Sequence, residues 1–402
     1  MNNQIYIDYR NKYRTFLIEN VLPFWLKNGM DNKNGGLYTC LDQKGNLYNT
    51  DKSVWFQGRF GWILAKAVNS LGKNEEYKSA CYSCLNFLND YCIDKTDGRM
   101  YFSVTEDGQP LRKRRYFFSE TFYTMAFAEA SRAFDDSSLL EYAQKYYDFL
   151  IDIYKNPDND PYKITPKVIP GTRRTRAYAS SMILLNVTHT MREADPLNAE
   201  KYDQIAKTLV HDMFTYSYQK QFGVFLEEVG MNGEFLGKIT GGRTINPGHN
   251  IEGLWFLINQ SRIEGGNQDL LHKVESIFDA ATDFGWDKDL GGLINFADAL
   301  GEPPEQIEHD MKYWWPQTEL MITSLYLFKE TKNKKYWNWF EKSSDYAFDH
   351  FEDKKYGEWF GYLNHNGEPT MPAPKGNLFK GPFHLPRMLI LISDCMDQLS
   401  KE

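Results

Sequence analysis

The 402-residue chain has no apolar run approaching the roughly 20 residues of a membrane helix. Its opening stretch from Met1 to Arg14 is too polar for a signal peptide, so a cytoplasmic protein without a membrane span is expected. Cysteine is scarce: Cys40, Cys81, Cys84, Cys92 and Cys395 are an odd set that cannot pair completely, which fits a reducing compartment. Cys81 and Cys84 form a C-x-x-C inside the helix-like stretch 75–91, with no second ligand pair at zinc spacing, and read as packing residues. Positive charge is in deficit, with 46 Lys and Arg against 54 Asp and Glu and a net charge of −8. A general nucleic-acid surface is thereby excluded, because neutralising phosphates takes clustered basic residues. The one basic run, Arg112 to Arg115, is read as a solvated loop.

Missing motifs narrow the chemistry further. No G-x-x-x-x-G-K-[ST], G-x-G-x-x-G or H-E-x-x-H is present, and His249-x-x-Glu252 alone does not make a metal site, so no metal is expected. No G-x-S-x-G elbow offers a serine nucleophile. Histidines are few, and His189, His211, His272, His309, His350 and His365 lie in polar or ordinary helical contexts that suit surface or core positions.

What the chain has in abundance is aromatic residues, 16% of the total, and 42% hydrophobic residues overall, enough for a sizeable core. It also repeats. A glycine-bounded aromatic segment closed by a second glycine recurs at Gly36…Gly45, Gly98…Gly108, Gly223…Gly233, Gly292…Gly301 and Gly357…Gly367. Each predicts a short hairpin, and the spacing is roughly 65 residues apart from one double gap, where a degenerate unit falls around Asn156 to Thr172. Between hairpins lie pairs of segments with helical apolar spacing, such as 55–71 with 77–91 and 120–134 with 139–154. A helical pair cannot bury its apolar face alone, so about six units should stack and close as an inner ring inside an outer ring, one domain over residues 1–402.

Reactive groups concentrate at helix starts. In Asn246-Pro-Gly-His249-Asn-Ile-Glu252, Asn246 suits an N-cap and Pro247 the first helical position, which places His249 in the first turn with Glu252 on the same face. The helix N-terminus should bias His249 towards neutral imidazole. Pro316 is expected to open a second helix with Glu319 in its first turn, behind Trp314 and Trp315. His384 and Arg387 flank Pro386 in a third. Arg59 lies in a strongly aromatic helix and is either structurally paired or aimed at ligand oxygens.

Taken together, Trp55-Phe-Gln-Gly-Arg59, Met182-Ile-Leu-Leu-Asn186, Gly242-Arg-Thr-Ile-Asn-Pro-Gly-His249-Asn-Ile-Glu252, Trp314-Trp-Pro-Gln-Thr-Glu319 and Phe383-His384-Leu-Pro-Arg387 resemble the N-acylglucosamine 2-epimerase family, whose mammalian members are also called renin-binding proteins. The resemblance covers nearly the whole chain. It implies an all-α (α/α)6 barrel with short β-hairpins in its connecting loops, usually a homodimer, that interconverts N-acetylglucosamine and N-acetylmannosamine in amino sugar metabolism. It places His249 and His384 on the two catalytic histidines. Arg59, Glu252, Glu319 and Arg387 fall on residues that bind the sugar or orient those histidines, and Trp315 is counted with the sugar-binding candidates. The related cellobiose 2-epimerases and mannose isomerases carry a third, mid-chain histidine; the stretch 174–186 has none, which favours the N-acyl branch. Asn250 stands where an acidic residue is expected, and Gly253 where alanine is. No cofactor is implied for the chemistry; ATP is implied as an allosteric activator, with no nucleotide motif to place it.

The chemistry so implied starts from the open-chain aldehyde. One histidine removes the C2 proton, Arg59 or Arg387 stabilises the enediolate oxygen, and the other histidine returns a proton to the opposite face. Two rivals remain at the level of sequence. Glu252 and Glu319 could be the carboxylate pair of an α/α-toroid glycoside hydrolase. A non-catalytic binding protein would not need its histidines to face one cavity.

Overall fold

In the computed structural model, residues 3–113, 116–157 and 173–402 are described. The helices are α1 (Asn3–Phe16), α2 (Leu22–Gly29), α3 (Val54–Leu71), α4 (Glu75–Tyr91), α5 (Phe118–Phe134), α6 (Ser137–Lys155), α7 (Tyr178–Ala194), α8 (Ala199–Asp212), α9 (Pro247–Ile263), α10 (Gln268–Gly285), α11 (Trp314–Thr331), α12 (Lys334–Phe351) and α13 (His384–Leu399). None is long and apolar enough to cross a membrane.

Burial separates two kinds. α5 is buried at every position from Ser119 to Ser131, and α11 at every position from Pro316 to Phe328. A helix buried all round must lie inside. α10 buries one stripe, Leu270, Leu271, Val274, Ile277, Phe278 and Ala281, and so covers the others from outside. The inner helices pack in the order α3, α5, α7, α9, α11, α13 and back to α3, which closes the ring; α4, α6, α8, α10 and α12 each back the inner helix before them. This is the (α/α)6 barrel.

The sixth pair differs from the expected succession of adjacent helices. It is made from the two ends of the described chain: α1 packs outside α13. Most of the degenerate unit expected around Asn156 to Thr172 lies outside the described residues. The described half of the basic run is not a free loop either, because Arg112 and Lys113 lie in the strand Pro110–Lys113 and Lys113 bonds Asp94 and Asp97 at 2.7 Å each; Arg114 and Arg115 lie outside the described residues. All five cysteines are buried and free.

All ten glycines that bound the repeats have positive φ, between 71° and 89°, a region that disfavours side chains. They turn the chain between short bridges such as Met30 with Leu37 and Trp286 with Leu293. The two residues before an inner helix then pair with the hairpin that follows its outer partner: Lys52–Ser53 with Val104 and Ser103, Arg176–Ala177 with Glu228–Val229, Thr244–Ile245 with Ala297–Asp298, and Lys312–Tyr313 with Tyr362–Leu363.

A side chain at the start of each of several inner helices clamps the backbone just after a repeat glycine. Gln57 Oε1 accepts from Leu37 N at 2.7 Å and its Nε2 donates to Leu37 O at 2.9 Å. Gln317 does the same to Leu293 at 2.8 Å both ways, and Asn250 to Phe225 at 2.8 and 2.9 Å. Glu120 accepts from Met100 N at 2.9 Å. Because Gln57 is fully buried, Gln57→Leu strands two backbone groups away from water. We expect it to cost about 2–4 kcal/mol in urea unfolding, and Gln317→Leu the same. A cost below about 0.5 kcal/mol for either would show that the clamp is incidental.

Candidate active site

Two residues past each clamp, one inner helix turns a charged side chain towards the lumen: Arg59 after Gln57, Glu252 after Asn250 and Glu319 after Gln317. Two helices begin earlier than their prolines suggest. α11 starts at Trp314, so Glu319 lies in its second turn, and α13 starts at His384, with Pro386 third. The first four N–H groups of a helix have no partner inside it, so proline is tolerated at any of these positions. α9 begins as expected, with Asn246 Oδ1 accepting from His249 N at 2.9 Å.

The start of α13 is fixed by two buried ion pairs, Lys375 to Asp353 at 2.8 Å and Lys380 to Glu358 at 2.7 Å. Gly381 then lies flat on Phe56, with room for no side chain: a Cβ there would stand 2.6 Å from the ring. His384 is thereby brought to Glu319, whose Oε1 lies 2.9 Å from its Nδ1. Glu319 also receives Trp255 Nε1 at 2.8 Å and Arg387 Nη2 at 2.7 Å. Arg387, 1% exposed, reaches Glu252 Oε1 at 2.5 Å as well. Both carboxylates are thus committed to one guanidinium, and neither is placed as the acid or base of a hydrolase pair.

His249 meets Glu227, whose Oε1 and Oε2 lie 3.0 and 3.1 Å from its Nδ1. Between the two imidazoles stands Trp315, with ring centroids 5.2 Å from His249 and 5.6 Å from His384. Gly248 admits the indole, since a Cβ there would lie 2.6 Å from it. Arg59 is half-buried, its guanidinium 4.1 Å from the Phe122 ring and 4.8 Å from Phe383. Its Nε has no hydrogen-bond partner among the described residues. Phe383 also faces Arg387, at 4.7 Å. Gly58 makes this possible, because it lets the Phe122 backbone approach α3 to a distance that a Cβ would block at 2.6 Å.

The two histidines are tuned in opposite directions. Burial and the charge of Arg387, joined by Arg59 and His249 and opposed by Glu252, hold His384 well below the ordinary imidazole value. Burial also opposes charge on His249, but Glu227 and then Glu252 outweigh it, so His249 lies above its ordinary value. The neutral bias expected from the helix N-terminus is therefore overturned: a carboxylate in contact exceeds a partial dipole charge. Arg59 is pulled down to about 9 by burial and then by Arg387, and stays charged at neutrality.

The sequence reading brought His249, His384, Arg59, Glu252, Trp315, Glu319 and Arg387 forward, and the structure gathers all seven at one end of the barrel. It missed Glu227. That residue lies two positions past Phe225 in the third glycine-bounded hairpin, where the adjacent acids Glu227 and Glu228 both resemble solvent-facing side chains. Its backbone is fixed from both sides, with Glu227 N donating to Thr244 O and its own carbonyl accepting from Tyr178 N, both at 3.1 Å. Of the other histidines, His189 is a core residue bonded to Gln260 at 2.9 Å, and burial pushes it down to about 4. Ligand atoms of Glu252, Glu319 and His384 lie within 4.8 Å of one another, a spacing a cation could use. The guanidinium of Arg387 occupies that place.

A helical barrel whose inner-helix starts carry two carboxylate-bound histidines and two arginines defines a carbohydrate epimerase, an isomerase. The profile of the N-acylglucosamine 2-epimerase (GlcNAc 2-epimerase) family matches residues 36–380, and the chain belongs to that family. It is 32% identical to the N-acylglucosamine 2-epimerase of Rattus norvegicus over 385 residues, covering 95% of this chain and 90% of the rat protein. Against the cellobiose 2-epimerase of Dictyoglomus turgidum it is 25% identical, over 92% of this chain and 94% of the relative. The solved cellobiose 2-epimerase of Spirochaeta thermophila shares the fold with a TM-score of 0.84 and 21% identity, over 98% of both chains.

Glu227→Gln tests the tuning. A group raised in the folded protein holds its proton until pH passes that raised value, so activity needing charged His249 fails on the alkaline side. Removing the carboxylate lowers His249 and should move the alkaline limb of kcat/KM to lower pH. A pH profile with an unmoved limb refutes the pairing.

Proposed function

We propose that the chain interconverts N-acetylglucosamine and N-acetylmannosamine by removing the C2 proton with one of His384 and His249 and returning a proton to the opposite face from the other. One observation carries the reading: two imidazoles flank a single indole, each with Nδ1 held by a carboxylate and Nε2 open to a ligand, and each tuned to the opposite charge. In the open-chain sugar the C1 carbonyl acidifies the C2 hydrogen. Neutral His384, its Nδ1–H donated to Glu319, presents the Nε2 lone pair and takes that proton. Negative charge then develops on the C1 oxygen. Arg59, charged and short of hydrogen-bond partners, is suited to receive it, as oxyanion donors do. Charged His249 donates from its Nε2 to the other face of C2 and completes the inversion. The return reaction runs through the same pair in reverse.

The substrate class is supported by the higher identity to the rat N-acylglucosamine 2-epimerase than to the cellobiose 2-epimerase, and by the lack of histidine in 174–186. A cytoplasmic homodimer responsive to ATP belongs to the same proposal. In D2O, N-acetylmannosamine should give N-acetylglucosamine carrying deuterium at C2, read by proton NMR. His249→Asn and His384→Asn should each lower kcat by roughly 10²–10⁴. Near-native inversion by both variants would end the two-histidine mechanism, and a higher kcat/KM on cellobiose or free mannose would end the substrate assignment.

A further inference from the structure

Tyr178 opens α7 and is fully buried, yet its hydroxyl has no hydrogen-bond partner among the described residues. Its ring lies flat on Phe225, with centroids 4.7 Å apart and planes 8° from parallel. The far end of the ring meets α9. A Cβ built on Gly253 would stand 2.0 Å from the Tyr178 Oη and 3.2 Å from the ring carbon that bears it. Gly253 follows Glu252 directly and lies one helical turn past His249. Glycine inside a helix costs about 1 kcal/mol relative to alanine, the residue expected here, and the hydroxyl accounts for its presence. The charged groups facing the phenol are Glu227 and Glu252. With burial they hold it far above its ordinary value, so it remains a neutral phenol.

The ring therefore spans from the hairpin that carries Glu227 to the helix that carries His249 and Glu252. Thr244 and Asn250 hold that hairpin from the α9 side, and Tyr178 holds it from α7. We propose that Tyr178 is a positioning residue whose contact with Gly253 sets the spacing between Glu227 and α9, and with it the hydrogen bond that holds His249. The inference rests on His249 being a proton carrier.

The test is a steric cycle among wild type, Tyr178→Phe, Gly253→Ala and the double variant. It is read by NMR titration of the His249 imidazole, which needs no turnover, and by the pH dependence of kcat/KM. Besides Glu227 and Glu252, His384 is the other titrating group near His249. In Gly253→Ala the displaced ring loosens the Glu227 contact, so His249 should titrate at lower pH and kcat should fall roughly tenfold to a hundredfold with KM little changed. Tyr178→Phe opens a gap of one oxygen atom and should shift His249 the same way by less. In the double variant the new methyl fills the space the hydroxyl left, and both readouts should return to within about threefold of wild type, a coupling that additive damage cannot produce. His249 titrating in Tyr178→Phe as in wild type, or a double variant no better than Gly253→Ala, overturns the proposal. Wild-type protein that fails to epimerise while these His249 shifts appear overturns the functional reading and leaves the strut standing.

Discussion

The barrel depends on one repeated hydrogen-bonding constraint, the grip of an inner-helix side chain on the backbone behind a left-handed glycine. The hairpins are too short to satisfy their own buried amides, and an unpaired buried peptide group is costly. Gln57, Asn250 and Gln317 each supply one donor and one acceptor to the same residue, as a carboxamide can and a carboxylate cannot. This explains the departure at Asn250, where an acid was expected: a carboxylate would accept from Phe225 N, as Glu120 does from Met100, but could not donate to Phe225 O. Because each clamp fixes helix rotation, the residue two positions on is delivered to the lumen. Arg59, Glu252 and Glu319 inherit their places from that geometry.

Electrostatics is layered onto this frame unevenly. Arg387 binds both Glu252 and Glu319, so a charge that would be intolerable alone is matched by two carboxylates at 2.5 and 2.7 Å. The same cation suppresses charge on His384. His249 stands 28% exposed beside a carboxylate committed to it alone, and is biased the other way. A pair of chemically identical side chains is thus biased in opposite directions, one towards the charged imidazolium and one towards the neutral imidazole.

Much of this was legible beforehand. The glycine spacing gave the units, helical periodicity gave the pairs, and caps such as Asn246 located helix starts, because these signals act between near neighbours. The sixth pair was not legible, since α1 and α13 meet only through closure of the ring. Glu227 was hidden for a related reason: its partner lies 22 residues away, across a helix start, and nothing local marks one hairpin acid from the next. The protonation bias of His249 failed with it, because a local dipole argument cannot anticipate a carboxylate delivered by tertiary structure. The starts of α11 and α13 were misplaced by a weaker signal, proline, which permits a helix start without fixing it.

Ring closure by α1 and α13 has a consequence for how the protein comes into being. A chain is made from its N-terminus and folds in that order. α1 emerges before the other described helices and must wait, its apolar side uncovered, until α13, the stave it covers, is synthesised. His384 and Arg387 ride on that stave. A nascent chain can stack five helical pairs and still hold only Arg59, Glu227, His249, Glu252, Trp315 and Glu319 of the site, with two buried acids lacking their cation and no second imidazole. Closure of the ring and completion of the polar cluster at its mouth are therefore one event.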